Sequence, residues 1–107
     1  MKKGYWVVAY KSLLDESAVE AYGALALLAV ESFCGRLLTM STSQIQSHEA
    51  GLPLRTILVE FDSYEIALAA HESQAYQKAL QALGSCAERD FQIVEAAEVA
   101  DRTGHLS

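Results

Sequence analysis

The chain has 107 residues and a formal net charge of −6, and it is 51% hydrophobic against 21% charged. That length and balance describe one globular domain with a single small core and exclude a disordered chain. The acidic balance repels phosphate backbones and anionic lipid headgroups, which excludes general nucleic-acid binding and attachment to a membrane surface.

Residues 4–11 form a short, nearly continuous apolar run bounded by charges, which predicts a first strand. A polar turn follows. Ser17-Ala18-Val19-Glu20 then fits a capping box, in which Ser and Glu satisfy each other's backbone N–H groups. The helix it opens is expected to reach Phe33, with Val19, Tyr22, Ala26, Ala29 or Val30, and Phe33 as its apolar stripe. Gly35 is placed to end it in the left-handed conformation. Residues 36–42 read as a second strand, and residues 44–53, with Gly51 and the only proline, as a loop. Thr56-Ile57-Leu58-Val59-Glu60-Phe61 is rich in β-branched and aromatic residues and predicts a third strand. Asp62 or Ser63 caps a second helix directly after it, Ser73 supplies a fresh cap where that helix breaks or bends, and Gly84-Ser85 ends the helical region. Residues 91–95 alternate apolar and polar and predict a fourth strand. Residues 1–97 are thus expected to form one ferredoxin-like domain and residues 98–107 a C-terminal tail.

The order β-α-β-β-α-β is the ferredoxin-like split arrangement, an α+β fold with one antiparallel sheet and its helices on one face. The other face is left bare, and a two-fold dimer packing sheet against sheet is the economical way to cover it. Gly4-Tyr5-Trp6, Tyr22, Gly35-Arg36, residues 55–61 with Ser63, and Ser73 followed by Tyr76-Gln77 together resemble the family called domain of unknown function 1330. The resemblance covers residues 4–96 and implies the dimeric α+β barrel superfamily: a ferredoxin-like protomer and a dimer whose two sheets form a barrel. It implies no established activity. Members of that family often carry two adjacent glycines where this chain has Cys34-Gly35.

Period-two alternation puts Thr56, Leu58 and Glu60 on one face of the third strand and Ile57, Val59 and Phe61 on the other. If the second set meets the helices, Glu60 faces the barrel interior, where desolvation raises a carboxylate pKa and suits it to act as a general base. Trp6 and Tyr10 share a face of the first strand, and with Thr56 they are the expected walls of a ligand pocket centred on Glu60. The plainer reading makes Glu60 a strand-end partner of Arg36 or Arg55, and Trp6 and Tyr10 interface packing. Tyr22 and Tyr76 read as core residues with satisfied hydroxyls, and His71 as a surface histidine.

His71-Glu72 and His48-Glu49 do not continue as His-Glu-x-x-His, and three histidines with two distant cysteines have no metal-site spacing, so neither metal nor cofactor is expected. Cys34 and Cys86 read as small buried hydrophobes without a disulfide. Lys2-Lys3 is not followed by a secretory pattern, and the apolar run at residues 24–30 is too short to span a bilayer, so a cytoplasmic protein is expected. The functional reading is a homodimer that binds a small, partly apolar molecule in its barrel or cleft. The alternative is a cofactor-free oxygenase or isomerase acting on a small ring compound, a reading that rests on fold analogy.

Overall fold

The computed structural model describes residues 2–41, 44–52 and 54–98. The elements run β1 (Gly4–Leu13), α1 (Glu16–Ser32), β2 (Arg36–Ser41), β3 (Thr56–Phe61), α2 (Tyr64–Glu72), α3 (Gln74–Leu83) and β4 (Ala87–Glu95). The four strands make one antiparallel sheet in the order β2-β3-β1-β4, which is the split topology expected. Thr42, Pro53 and the tail from residue 99, with Gly104 and His105, lie outside the described residues.

Register divides the sheet into two faces. Trp6 pairs with Val59 and Ile93, and Val8 with Ile57 and Phe91. This set meets the helices, and Trp6, Val8, Tyr10, Val59 and Phe61 join Val19, Tyr22, Ala29, Val30, Ala67, Tyr76 and Ala79 in the core. Trp6 is its hub. The indole packs at a tilt against Tyr76, Phe61 and Phe91, with ring centres 4.8–5.3 Å apart, and its Nε1 donates to the Ala67 carbonyl of α2 at 2.9 Å. The opposite face carries Tyr5, Val7, Ala9, Thr56, Leu58 and Glu60 in mutual register, with Gln92 and Val94 on β4. No helix covers it among the described residues, and it mixes apolar with polar side chains.

Local chemistry explains the element ends, and three expectations are corrected. α1 starts at Asp15, whose Oδ1 accepts from the N–H groups of Ser17 and Ala18 and from the Ser17 hydroxyl at 2.7 Å. With Asp15 as the cap, Ser17 lies inside the first turn and gives both its N–H and its hydroxyl to that carboxylate, so no Ser17–Glu20 box forms. At the other end the left-handed residue is Cys34, with φ 57°, and not Gly35. Cys34 N–H donates to Glu31 O and Gly35 N–H to Val30 O, the paired bonds of a Schellman motif. Gly35 is needed for a different reason: a Cβ there would lie 2.6 Å from the Phe61 ring and 2.7 Å from Val30. Ser73 caps two helices at once, donating from Oγ to Ala70 O at the end of α2 and accepting from Tyr76 N at the start of α3. β4 begins at Ala87 rather than at residue 91, because Arg89, Phe91 and Ile93 continue one inward alternation.

Cys34 is exposed, which corrects the reading of it as a buried hydrophobe, and neither cysteine is bridged. A left-handed backbone costs a side-chain-bearing residue about 1–2 kcal/mol, and glycine gives back part of that through its freer unfolded chain. Cys34→Gly is therefore expected to stabilise the fold by about 0.5–1 kcal/mol, raising the melting temperature by roughly 2–6 °C. An unchanged or lower melting temperature by calorimetry would show that the strain is not there.

Candidate ligand cleft between the first helix and the sheet

α1 crosses the helix-facing side of the sheet but leaves β2 uncovered. Leu37 and Met40 point to that side because an irregularity between Leu37 and Thr39 resets the alternation, and they stay 41% and 58% exposed. Between them and α1 lies a cleft of about 510 Å³. Its floor is Trp6, Val8, Ile57 and Val59, and its helix wall includes Val19, Gly23, Ala26 and Leu27. The volume falls within the range of small-molecule sites, which are mainly apolar with a few placed polar groups.

The polar groups sit at the end nearest the start of α1. Arg55, just before β3, reaches into the cleft with its side chain only 20% exposed. Its Nη2 donates to Glu16 Oε1 at 2.9 Å, and its guanidinium lies 5.6 Å from the centre of the Tyr10 ring. Arg55 Nε is buried without a hydrogen-bond partner among the described residues. Glu16 and Glu20 line the rim, exposed to water.

Behind the cleft is a second cation. Arg89 donates to the Tyr22 hydroxyl at 2.8 Å and lies over the rings of Tyr22, Tyr10 and Phe91 at 4.7–5.6 Å. The hydroxyls of Tyr22 and Tyr76 are 2.8 Å apart. Among the described residues Arg89 has no carboxylate within ion-pair distance, so aromatic faces and phenol oxygens hold its charge. Burial pushes the Tyr10 and Tyr76 hydroxyls above the usual phenol value, and both stay protonated. Burial also holds the His71 imidazole below its ordinary pKa, packed edge-on against Trp6 and Phe91. It is therefore a neutral partner of the aromatic cluster rather than a surface histidine.

The expected pocket of Trp6, Tyr10, Thr56 and Glu60 is corrected by the register. Tyr5, not Trp6, stands opposite Glu60. Trp6 lines the cleft on the helix side, and Tyr10 is sealed in the core beside it. Thr56 and Glu60 are on the other face of the sheet, Thr56 beside a shallower hollow under the loop at residues 44–52. Glu60 Oε1 accepts from Arg36 Nε at 2.9 Å and Oε2 from the Tyr5 hydroxyl at 3.1 Å. The Arg36 hydrogen bond holds the Glu60 carboxyl below the usual range, so it is an ionised partner of Arg36 and not a general base with a raised pKa. No three His, Cys, Asp or Glu side chains gather as a metal site would require among the described residues, and no described helix is long and apolar enough to cross a membrane.

Residues 3–97 match the profile of the family described as "Domain of unknown function (DUF1330)". The chain belongs to this family. No curated protein matches the sequence of this DUF1330 member. Solved structures show the same fold at low identity. A protein of unknown function from Rhodopseudomonas palustris superposes with a TM-score of 0.67 at 10% identity, covering 92% of this chain and 85% of that one. SnoaB, a cofactor-independent oxygenase from Streptomyces nogalater, gives 0.57 at 8% identity, over 95% of this chain and all of that one. A nipsnap family protein of unknown function from Agrobacterium tumefaciens gives 0.53 at 17% identity, over 92% of each chain. The DUF1330 chain thus has the fold of the dimeric α+β barrel proteins.

Sequence reasoning overlooked Arg89 and gave Arg55 only a role beside Glu60. Arg89 had a legible signal, since it interrupts the inward series Ala87, Phe91, Ile93 with a charge. Arg55 had none, because its approach to Glu16 spans 39 positions of the chain.

Proposed function

We propose that this protein is a cytoplasmic homodimer that binds a small, partly apolar organic molecule in the cleft between α1 and the sheet. The observation that carries the reading is the cleft itself: apolar floor and walls, with Arg55 as the one cation lining it among the described residues. The uncovered sheet face, with Val7, Leu58 and Val94 among its side chains, supports the dimer, and free Cys34 and Cys86 suit a reducing compartment. In a sheet-to-sheet dimer Glu60, Arg36 and Tyr5 become the polar part of the contact, and Thr56 borders it.

The enzyme reading draws on SnoaB, described as a cofactor-independent oxygenase on the same fold, and on Tyr22, which lines the cleft and connects it to Tyr76 and Arg89 behind. Binding comes first in both readings, so binding is what to measure. Methyl NMR with the neutral aromatic amide cinnamamide is expected to perturb Val8, Leu27, Ile57 and Val59. Perturbation confined to Val7, Leu58 and Val94, or none at saturating concentration, rules out the cleft. Light scattering at low micromolar concentration is expected to give about twice the 11.7 kDa chain mass; a clean monomer rules out the dimer.

A further inference from the structure

We infer that the molecule held in this cleft is an organic acid, its carboxylate seated on Arg55, and that Glu16 is the chain's own competitor for that seat. The inference rests on the cleft being the binding site. A guanidinium offers five N–H donors in a planar fork that matches a carboxylate bidentately. Arg55 gives one of them to Glu16, through Nη2, and holds Nε away from water with no acceptor among the described residues. A buried donor left unmatched is a standing preference for an acceptor. Arg55 is also fixed, largely buried with its charge near the Tyr10 ring.

Glu16 is held differently. It is the first residue of α1, its side chain is 55% exposed, and one of its oxygens makes the contact. A half-solvated pair of this kind is weak and exchanges readily with water. An incoming carboxylate displaces Glu16 to solvent at little cost and gains a cation that cannot follow it. The remaining walls specify the other end of the molecule: Val8, Ile57, Val59, Leu37 and Met40 suit an aromatic or branched aliphatic body.

Glu20, one turn further along α1, also lines the rim and opposes an anion. It is exposed, so water and salt screen it, whereas the Arg55 charge acts from a desolvated position. A cationic ligand attracted by the two glutamates would have to place its ammonium beside that buried guanidinium. The balance favours the acid.

Isothermal calorimetry with three probes of one shape separates the cases: cinnamate, neutral cinnamamide and cationic cinnamylamine. Cinnamate is expected to bind about tenfold tighter than cinnamamide, with the difference shrinking as salt is raised. Glu16→Gln is expected to tighten cinnamate by roughly threefold to tenfold and to leave cinnamamide unchanged. Arg55→Gln is expected to make acid and amide equal. Should that variant not fold, the Glu16 result decides alone, because Glu16 is exposed. Equal binding of acid and amide by the unmodified protein, or preference for the amine, overturns the acid while the cleft stands. Binding of none of the three overturns the cleft and the acid with it.

Discussion

Trp6→Ala is expected to remove most of the stability of the fold. The indole is 2% exposed and touches α2, α3, β3 and β4 at once through Ala67, Tyr76, Phe61 and Phe91. Truncating a buried aromatic of this size costs about 3–5 kcal/mol, part for lost burial and part for the cavity left behind. A domain of this size holds roughly 5–15 kcal/mol in all. The melting temperature is expected to fall by about 15 °C or more, with a broadened transition by circular dichroism. Trp6→Phe is the control. It keeps a ring in the cluster and loses the N–H and some volume, so its loss is expected to be less than half as large. Equal losses for the two would mean that the hydrogen bond to Ala67, not the packing, carries the effect. A loss below about 1 kcal/mol for Trp6→Ala would remove Trp6 from the centre of the core.

Gly4→Ala is the second large effect, and its cause is backbone against backbone. A Cβ at position 4 would lie 2.6 Å from the Ser63 carbonyl and from Tyr64 Cα, and 2.8 Å from Tyr64 N. Ser63 is the N-cap of α2, its Oγ accepting from Ile66 N at 3.1 Å. No flexible side chain stands at the clash, so β1 and the first turn of α2 must separate. The expected loss is about 3 kcal/mol, at the upper end of overpacking. Gly23→Ala is the opposite case. Nothing lies within 4 Å of a Cβ there, and the position is inside α1, so a gain of about 0.5–1 kcal/mol is expected from helix propensity alone. Urea titration of the two variants should move the midpoint in opposite directions. A neutral Gly4→Ala would mean that α2 is free to shift away from β1.

Much of this fold was legible because its signals are local. The alternation in residues 56–61, the Ser63 and Ser73 caps and the three- and four-residue stripe of α1 each lie within a few residues and name one structure. The errors were each decided by a competing atom, one near in the chain and one far from it. Asp15 caps the helix two residues ahead of Ser17 and takes Ser17's own N–H, and Phe61, 26 positions beyond Gly35, sets what that glycine is for. The site was less legible. Alternation correctly separates Trp6 from Tyr5 and Glu60 from Val59, but only register says which face of β1 lies beside which face of β3. Arg55 meets Glu16, and Arg89 meets Tyr22, through contacts that no spacing along the chain encodes.

Trp6 also makes the cleft observable. It is the only tryptophan in the chain, it forms part of the floor of the cleft, and a neutral histidine stands edge-on at 6.1 Å. A molecule entering the cleft changes the surroundings of that single indole. The protein therefore contains its own optical gauge: ultraviolet emission, excited selectively at the indole, reports occupancy of the cleft and integrity of the core from one chromophore, with no label attached.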